Sequence, residues 1–311
     1  MAVEVSPSVS ARRIAGRPAT GVWARWRALS FSGWLAQIAK YLTLLVCTVS
    51  FLLPFYWMAT SALKDDNQVF TVPPVWIPNP AHWENFVNAW QMNNFNLYIV
   101  NTVVRYAIPA TIGTVVSSAF VAYGFSRVRW PGRDFLFGLC IATMMVPYMV
   151  VMVPLFITFK HLGMLNSFLP LTVPAYFGNP FFIFMLRQFY RSLPEELSDA
   201  ARIDGASELG ILLRIILPLT KPALTVVALF AFLNAWNDYL GPLIYINQGN
   251  LHVLAQGIED LRQSITQVGA QALAYPYLMA VSTLVTFPIV VAFFFTQRTF
   301  IEGISLTGLK G

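Results

Sequence analysis

The chain has 311 residues, of which 57% are hydrophobic, 15% aromatic and only 11% charged; a soluble domain carries roughly 25% charged residues, so this composition cannot clothe a water-facing surface. The formal net charge of +6 does not indicate nucleic acid, because the basic residues are scattered between apolar blocks and form no stripe with interleaved aromatics. Cys47 and Cys140 are the only cysteines and both sit in apolar blocks, which argues against a disulfide framework or metal cluster and for small buried hydrophobes.

Residues 1–38 read as an arginine-bearing N-terminal tail, with no motif in the first 35. The block from Tyr41 to Leu63 is longer than the roughly 7–15 apolar residues of a signal core, so a retained first helix is expected over 39–63. Further spans are expected at about 98–124, 135–159, 168–187, 222–246 and 274–296, each near the ~20 residues that cross the hydrocarbon. Single apolar blocks satisfy their backbone in lipid only as helices, so the fold class is all-α and integral to the membrane. Pro54, Pro109, Pro147, Pro154, Pro174, Pro180 and Pro288 fall within these spans. Such prolines are ordinary in membrane helices, and they also suit kinked helices that line a pathway. The segment 64–97 holds Trp76, Trp83 and Trp90 among four prolines; its aromatics fit either a membrane interface or a partner's surface.

Lysine and arginine set the orientation. Those of the N-terminal tail, of the connections around Arg127–Arg133 and Arg187–Lys221, and of the tail 298–311 fall on one side, leaving Lys64, Arg105, Lys160 and Arg262 for the other. Both termini are therefore expected in the cytoplasm of a cell (inner or plasma) membrane.

The connection 188–221 is helical in pattern. Ser192 is a candidate N-cap, followed by Pro194, Glu195 and Glu196, and a short helix is expected from Pro194 to Asp204. Gly205 then supplies a turn, and Ser207–Leu217 reads as a second amphipathic segment closed by Pro218 and Pro222. An amphipathic hairpin lying on the bilayer would favour lysines and bulky anchors, whereas the first helix is acidic and small.

The run Asp199-Ala200-Ala201-Arg202-Ile203-Asp204-Gly205-Ala206, followed by Ile215-Ile216-Leu217-Pro218, closely resembles the cytoplasmic loop motif of ABC importer permeases, with Asp199 where that family usually has Glu. Asn234-Ala235-Trp236-Asn237-Asp238-Tyr239 and the C-terminal Ser305–Gly311 resemble elements of the carbohydrate, maltose-type subgroup. The resemblance covers roughly residues 40–311 and implies a type I importer permease fold: six transmembrane helices, with 98–297 a five-helix core. It further implies that Glu195, Glu196, Asp199, Ala200, Ala201, Arg202, Asp204, Gly205 and Ala206 dock on a separate ATPase dimer, and that Lys310 and Gly311 touch it. ATP and Mg would be bound by that partner, with no cofactor in this chain. A second, homologous permease subunit and an extracytoplasmic solute-binding protein complete the implied assembly, moving a sugar, oligosaccharide or polyol.

Polar groups inside a span face a cavity or a neighbouring helix. Asn234, Trp236, Asn237, Asp238 and Tyr239 are thus candidates for a substrate path or gate, or for interhelical hydrogen bonds. An ATPase site is not expected in this chain, which has no G-x-x-x-x-G-K-[ST] loop. His82, His161 and His252 stand in separate segments without metal-ligand spacing. A secondary transporter would carry paired half-repeats and intramembrane carboxylates, of which Asp238 is the one candidate.

Overall fold

The computed structural model describes residues 31–267 and 274–307, with side chains for 31–264 and 275–297. Among these residues the chain is all-helical, with no β-strand. It divides into two units, 1–56 and 57–311. The first helix, α1, runs Phe31–Ala62 without interruption at Pro54, so residues 31–38 of the expected tail are helix. Its 32 residues would extend about 48 Å, and Leu42, Leu45, Val49 and Leu52 are exposed. Cys47 is exposed with them and Cys140 half-buried, not buried as expected, because faces turned toward lipid need no protein cover.

The segment after α1 is not structureless: α2 (Glu84–Met92) forms within it, and Asn85 Nδ2 donates to the carbonyls of Ala62 and Lys64 at 2.9 and 3.1 Å. Next, α3 (Phe95–Ser126) contains a π-helical turn over Asn101–Ala107. The wider turn turns Asn101 toward the carbonyls of Asn250 and His252, at 3.0 and 2.9 Å.

The third expected span is broken. α4 (Arg133–Met145) and α5 (Tyr148–His161) meet at 97°, since Pro147 has no N–H to continue the ladder. α6 (Leu169–Ser192) changes pitch at Gly178, where φ is +96°, and Asn179 restarts it by accepting from the Phe181 and Phe182 N–H groups.

The fifth span departs most from expectation. α9 (Lys221–Trp236) stops after 16 residues and a separate α10 (Leu240–Tyr245) follows, so 222–246 is not one continuous helix. Before it, α8 (Glu208–Leu219) meets α9 at 82°; Pro218 and Pro222 frame the bend, and Thr220 Oγ1 caps the Ile216 carbonyl at 2.8 Å. α11 (Leu254–Gln267) and α12 (Ala274–Thr307) complete the described chain. Among the described residues four helices are long and apolar enough to cross a membrane, and up to six spans result if each bent pair counts as one.

One core cluster joins Ala119, Ala122 and Tyr123 of α3 to Leu186 and Tyr190 of α6, Ile211 and Ile216 of α8, and Val227 of α9. Another gathers Ala89, Phe95, Tyr98, Trp236, Leu254, Leu261 and Val281. Small residues on α3 let α6 and α9 approach it closely, as association in lipid requires.

Candidate functional site

Two places carry the residues singled out in the sequence. The first is the connection after α6. Ser192 is not an N-cap: it lies in the last turn of α6 and its hydroxyl donates to the Phe189 carbonyl at 2.7 Å. A helix α7 (Glu196–Ile203) follows, shorter at both ends than the Pro194–Asp204 expected, with Glu195 its N-cap and Asp204 its C-cap. Gly205 ends α7 at φ +80°, a conformation open to glycine and strained for other residues. Ser207 caps α8, accepting from the Gly210 N–H at 3.2 Å.

One buried and one half-buried arginine tie this loop to the bundle. Arg127, at the end of α3, donates to the carbonyls of Tyr190, Leu193 (2.7 Å) and Pro194 (3.3 Å). Arg202 is half-exposed, and its charged end is engaged within the loop. Its guanidinium bridges Glu208 Oε1 and Asp199 Oδ1, both at 2.8 Å, and reaches the Arg127 carbonyl at 3.3 Å. Glu208 in turn accepts from the Tyr123 hydroxyl at 2.6 Å. Glu208 holds the Arg202 guanidinium protonated beyond its ordinary range, against the burial that opposes it. Ala201 is also turned inward, into the core cluster, where a larger side chain would lift α7 away.

The outward set is therefore Glu195, Glu196, Asp199, Ala200, Asp204, Gly205 and Ala206. Between them stands Ile203, 87% exposed, an apolar knob ringed by carboxylates and small residues. Arg127, Tyr123 and Glu208 were legible in the sequence only as a loop charge, an apolar-block residue and a helix-start acid; their long-range pairing leaves no local spacing signal.

The second place is a cavity of about 840 Å³ between α3, α5, α6, α9 and α10. Of the five candidate path residues it is lined by Asn234 and Asp238 only. Trp236 is 4% exposed and packs on Phe232 in the core. The Asn237 amide donates to the Leu233 carbonyl at 2.8 Å, terminating α9, and Tyr239 precedes α10 without lining the cavity. The α9 break causes this scatter, since successive residues leave the helical face. Asp238 accepts from the Tyr106 hydroxyl at 2.6 Å and the Gly241 N–H at 2.9 Å. Tyr148, Phe159, Phe182 and Tyr245 add aromatic walls, and Thr114 and Asn179 further polar groups. Aromatic faces with a few convergent polar groups suit a polyhydroxylated solute. Lys310 and Gly311 lie outside the described residues.

Comparison with known proteins matches residues 114–305 to the family described as "binding-protein-dependent transport system inner membrane component". The chain is 31% identical over 281 residues to the probable ABC transporter permease protein YurM of Bacillus subtilis (strain 168), covering 89% of this chain and 90% of that one. It is 33% identical over 274 residues to the sn-glycerol-3-phosphate transport system permease protein UgpE of Yersinia pestis, covering 86% and 95%. The arabinooligosaccharides transport system permease protein AraQ of Halalkalibacterium halodurans is 33% identical over 234 residues, covering 75% and 81%. In fold, the chain matches a subunit of a bacterial ABC transporter involved in import of the acidic polysaccharide alginate, with a TM-score of 0.74 at 20% identity over 87% of this chain and 98% of that one. This multi-pass membrane chain belongs to the family of binding-protein-dependent transport system inner membrane components, the permease subunits of ABC importers.

Proposed function

We propose that this subunit, paired with a second, homologous permease, moves a sugar, oligosaccharide or related polyol inward by alternating access, driven by a separate ATPase dimer that binds ATP and Mg. An extracytoplasmic solute-binding protein would deliver the solute. Both termini and the α7–α8 loop face the cytoplasm in this reading, following the lysine and arginine distribution. Glu195, Glu196, Asp199, Ala200, Asp204, Gly205 and Ala206 form the ATPase-facing surface, with Lys310 and Gly311 as a further contact.

The observation that carries the reading is the double tether of the loop. Arg127 binds its start to α3 and Arg202–Glu208–Tyr123 binds its second half to the same helix. A force applied at Gly205 therefore moves α3 and α6 as a body, which is the coupling that rocking about a central path needs.

The cavity supports a neutral solute. Among the described residues Asp238 is its one charged lining residue, with no lysine, arginine or histidine beside it, so an anion there would meet no compensating cation. Substrates of the named relatives differ in this respect, for sn-glycerol 3-phosphate is anionic and arabinooligosaccharides are neutral.

The test is reconstitution of the chain with its permease, ATPase and binding-protein partners in proteoliposomes. Neutral sugars should stimulate ATP hydrolysis and accumulate inside. Uptake driven by a proton or sodium gradient without ATPase subunits would reject the reading.

A further inference from the structure

A third opening lies where α3 ends, α4 begins and α6 ends. It holds about 430 Å³ and is lined by Arg129, Arg133 and Arg191, with Trp130 and Phe135 beside them. Two carboxylates border it, and both are already engaged. Asp134 Oδ1 lies 3.3 Å from Arg187 and 3.4 Å from Arg133. Glu195 Oε2 lies 3.6 Å from Arg129. Exposed Arg191 has no carboxylate within ion-pair distance among the described residues. The cleft thus carries surplus positive charge in a chain otherwise poor in charge.

Three further features bear on which anion would suit the cleft. Guanidinium forks match phosphate oxygens bidentately, so three arginines around one opening favour a phosphate over a carboxylate-free neutral group. The N-terminal turn of α4 begins at the cleft wall with Gly132 and Arg133, adding the positive end of a helix dipole. Beyond the charged rim, α4 turns apolar and open: Phe135, Leu136 and Leu139 are 76%, 44% and 55% exposed. A free anion has no use for that adjoining apolar face, whereas acyl chains do.

We propose that this cleft holds the headgroup phosphate of an anionic phospholipid, with its acyl chains lying along α4 over Phe135 and Leu139. Trp130, whose indole N–H donates to the Gly124 carbonyl at 3.1 Å, lies between the end of α3 and the start of α4, and tryptophan is enriched where membrane helices meet the headgroups. Arg129 is shared between the cleft and Glu195 at the start of α7, so lipid charge bears directly on the loop assigned to ATPase docking. The site does not depend on which solute is carried.

The experiment uses the full importer complex in nanodiscs of phosphatidylcholine with and without phosphatidylglycerol, and native mass spectrometry to count retained lipid. Wild type should keep phosphatidylglycerol through delipidation that strips phosphatidylcholine. Each arginine near a membrane surface shifts anionic-lipid binding about fivefold, so Arg191→Gln should lower occupancy about that much and the triple variant Arg129→Gln/Arg133→Gln/Arg191→Gln should abolish it. Arg191→Gln and the charge-keeping Arg191→Lys report even where the triple variant fails to assemble, and Lys should retain most of the binding. Equal phosphatidylglycerol retention by wild type and Arg191→Gln would overturn the proposal. So would displacement of the lipid by inorganic phosphate, which would make this a free-anion site. Uptake measured on the same samples separates the two readings: transport without lipid retention removes the lipid site and leaves the importer, while retention without transport does the reverse.

Discussion

The Tyr106 hydroxyl donates to Asp238 Oδ2 at 2.6 Å, joining the π-helical turn of α3 to the break between α9 and α10. The other oxygen of that carboxylate accepts from the Gly241 N–H, so one side chain closes the gap after α9 and starts α10. The approach is tight: a Cβ on Gly241 would come 2.4 Å from Asp238 Oδ2 and 2.9 Å from Leu171 Cδ2. Hydrogen bonds to charged groups contribute about 1.5–3 kcal/mol, and Tyr106→Phe removes one from a cavity-lining carboxylate. We expect that variant to assemble, to melt several degrees lower and to import at a reduced rate. Unchanged melting and uptake in Tyr106→Phe would mean that the pair does not organise the cavity.

Arg127 supports the loop in the same way from the other end. Arg127→Met keeps the apolar stem but strands the carbonyls of Tyr190, Leu193 and Pro194 that its guanidinium serves. A buried polar group left unpaired costs about 1–3 kcal/mol. Hydrogen exchange over residues 193–203 should therefore rise by at least tenfold while the buried middle of α3 stays protected. Equal exchange in both proteins would place the loop's rigidity elsewhere.

A pH dependence is expected in the segment after α1. His82 Nδ1 lies 2.7 Å from Glu84 Oε1 and Nε2 lies 3.3 Å from Asp65 Oδ1; the hydrogen bond to Glu84 is the main cause that raises the imidazole pKa above its ordinary 6.5. A raised folded-state value means that the stabilisation is complete below pH 6.5 and is lost as the pH climbs past the folded pKa. An NMR titration of His82 should show a midpoint above 6.5, moving back toward 6.5 in Glu84→Gln. A midpoint at or below 6.5 in the unaltered protein would contradict this.

Block length was enough to read the long apolar helices, though not the shorter Glu84–Met92 and Leu254–Gln267, because lipid demands long apolar segments and leaves few alternatives. The interruptions were harder. Pro147 marked a bend, but Pro54 lies in an unbroken α1, so proline alone did not tell a kink from a continuous helix. The end of α9 at Trp236 has neither proline nor glycine among residues 237–239; the Asn237 amide turns back onto the Leu233 carbonyl there, and Asp238 binds Gly241 locally but also Tyr106, which no local pattern connects to it. In the loop, Gly205 was legible because a turn between two helices needs positive φ. The inward roles of Ala201 and Arg202 were not, since Arg127 stands 75 residues from Arg202 in sequence and Tyr123 85 residues from Glu208.

Gly205 is the position where the coupling role can be isolated. At φ +80° a residue with a Cβ is strained by roughly 1–2 kcal/mol, more for a β-branched one, yet no atom lies within 4 Å of the site such a Cβ would occupy. Gly205→Val should therefore leave the core cluster and the Arg127 tether intact, while its side chain projects from the outward surface beside Ile203. Loss of even ~2–3 kcal/mol at a docking contact is roughly 30- to 150-fold in the equilibrium it controls. Ser207→Ala is not a neutral control, since the Ser207 hydroxyl caps α8; the exposed Gln188→Ala on α6 serves better. The measurement compares membrane insertion, co-purification of the ATPase subunits and solute uptake for the two variants. Normal insertion with lost co-purification, or with ATP hydrolysis uncoupled from uptake, is the expected result for Gly205→Val. Full uptake with normal ATPase association would show that the α7–α8 turn is not where the two proteins meet.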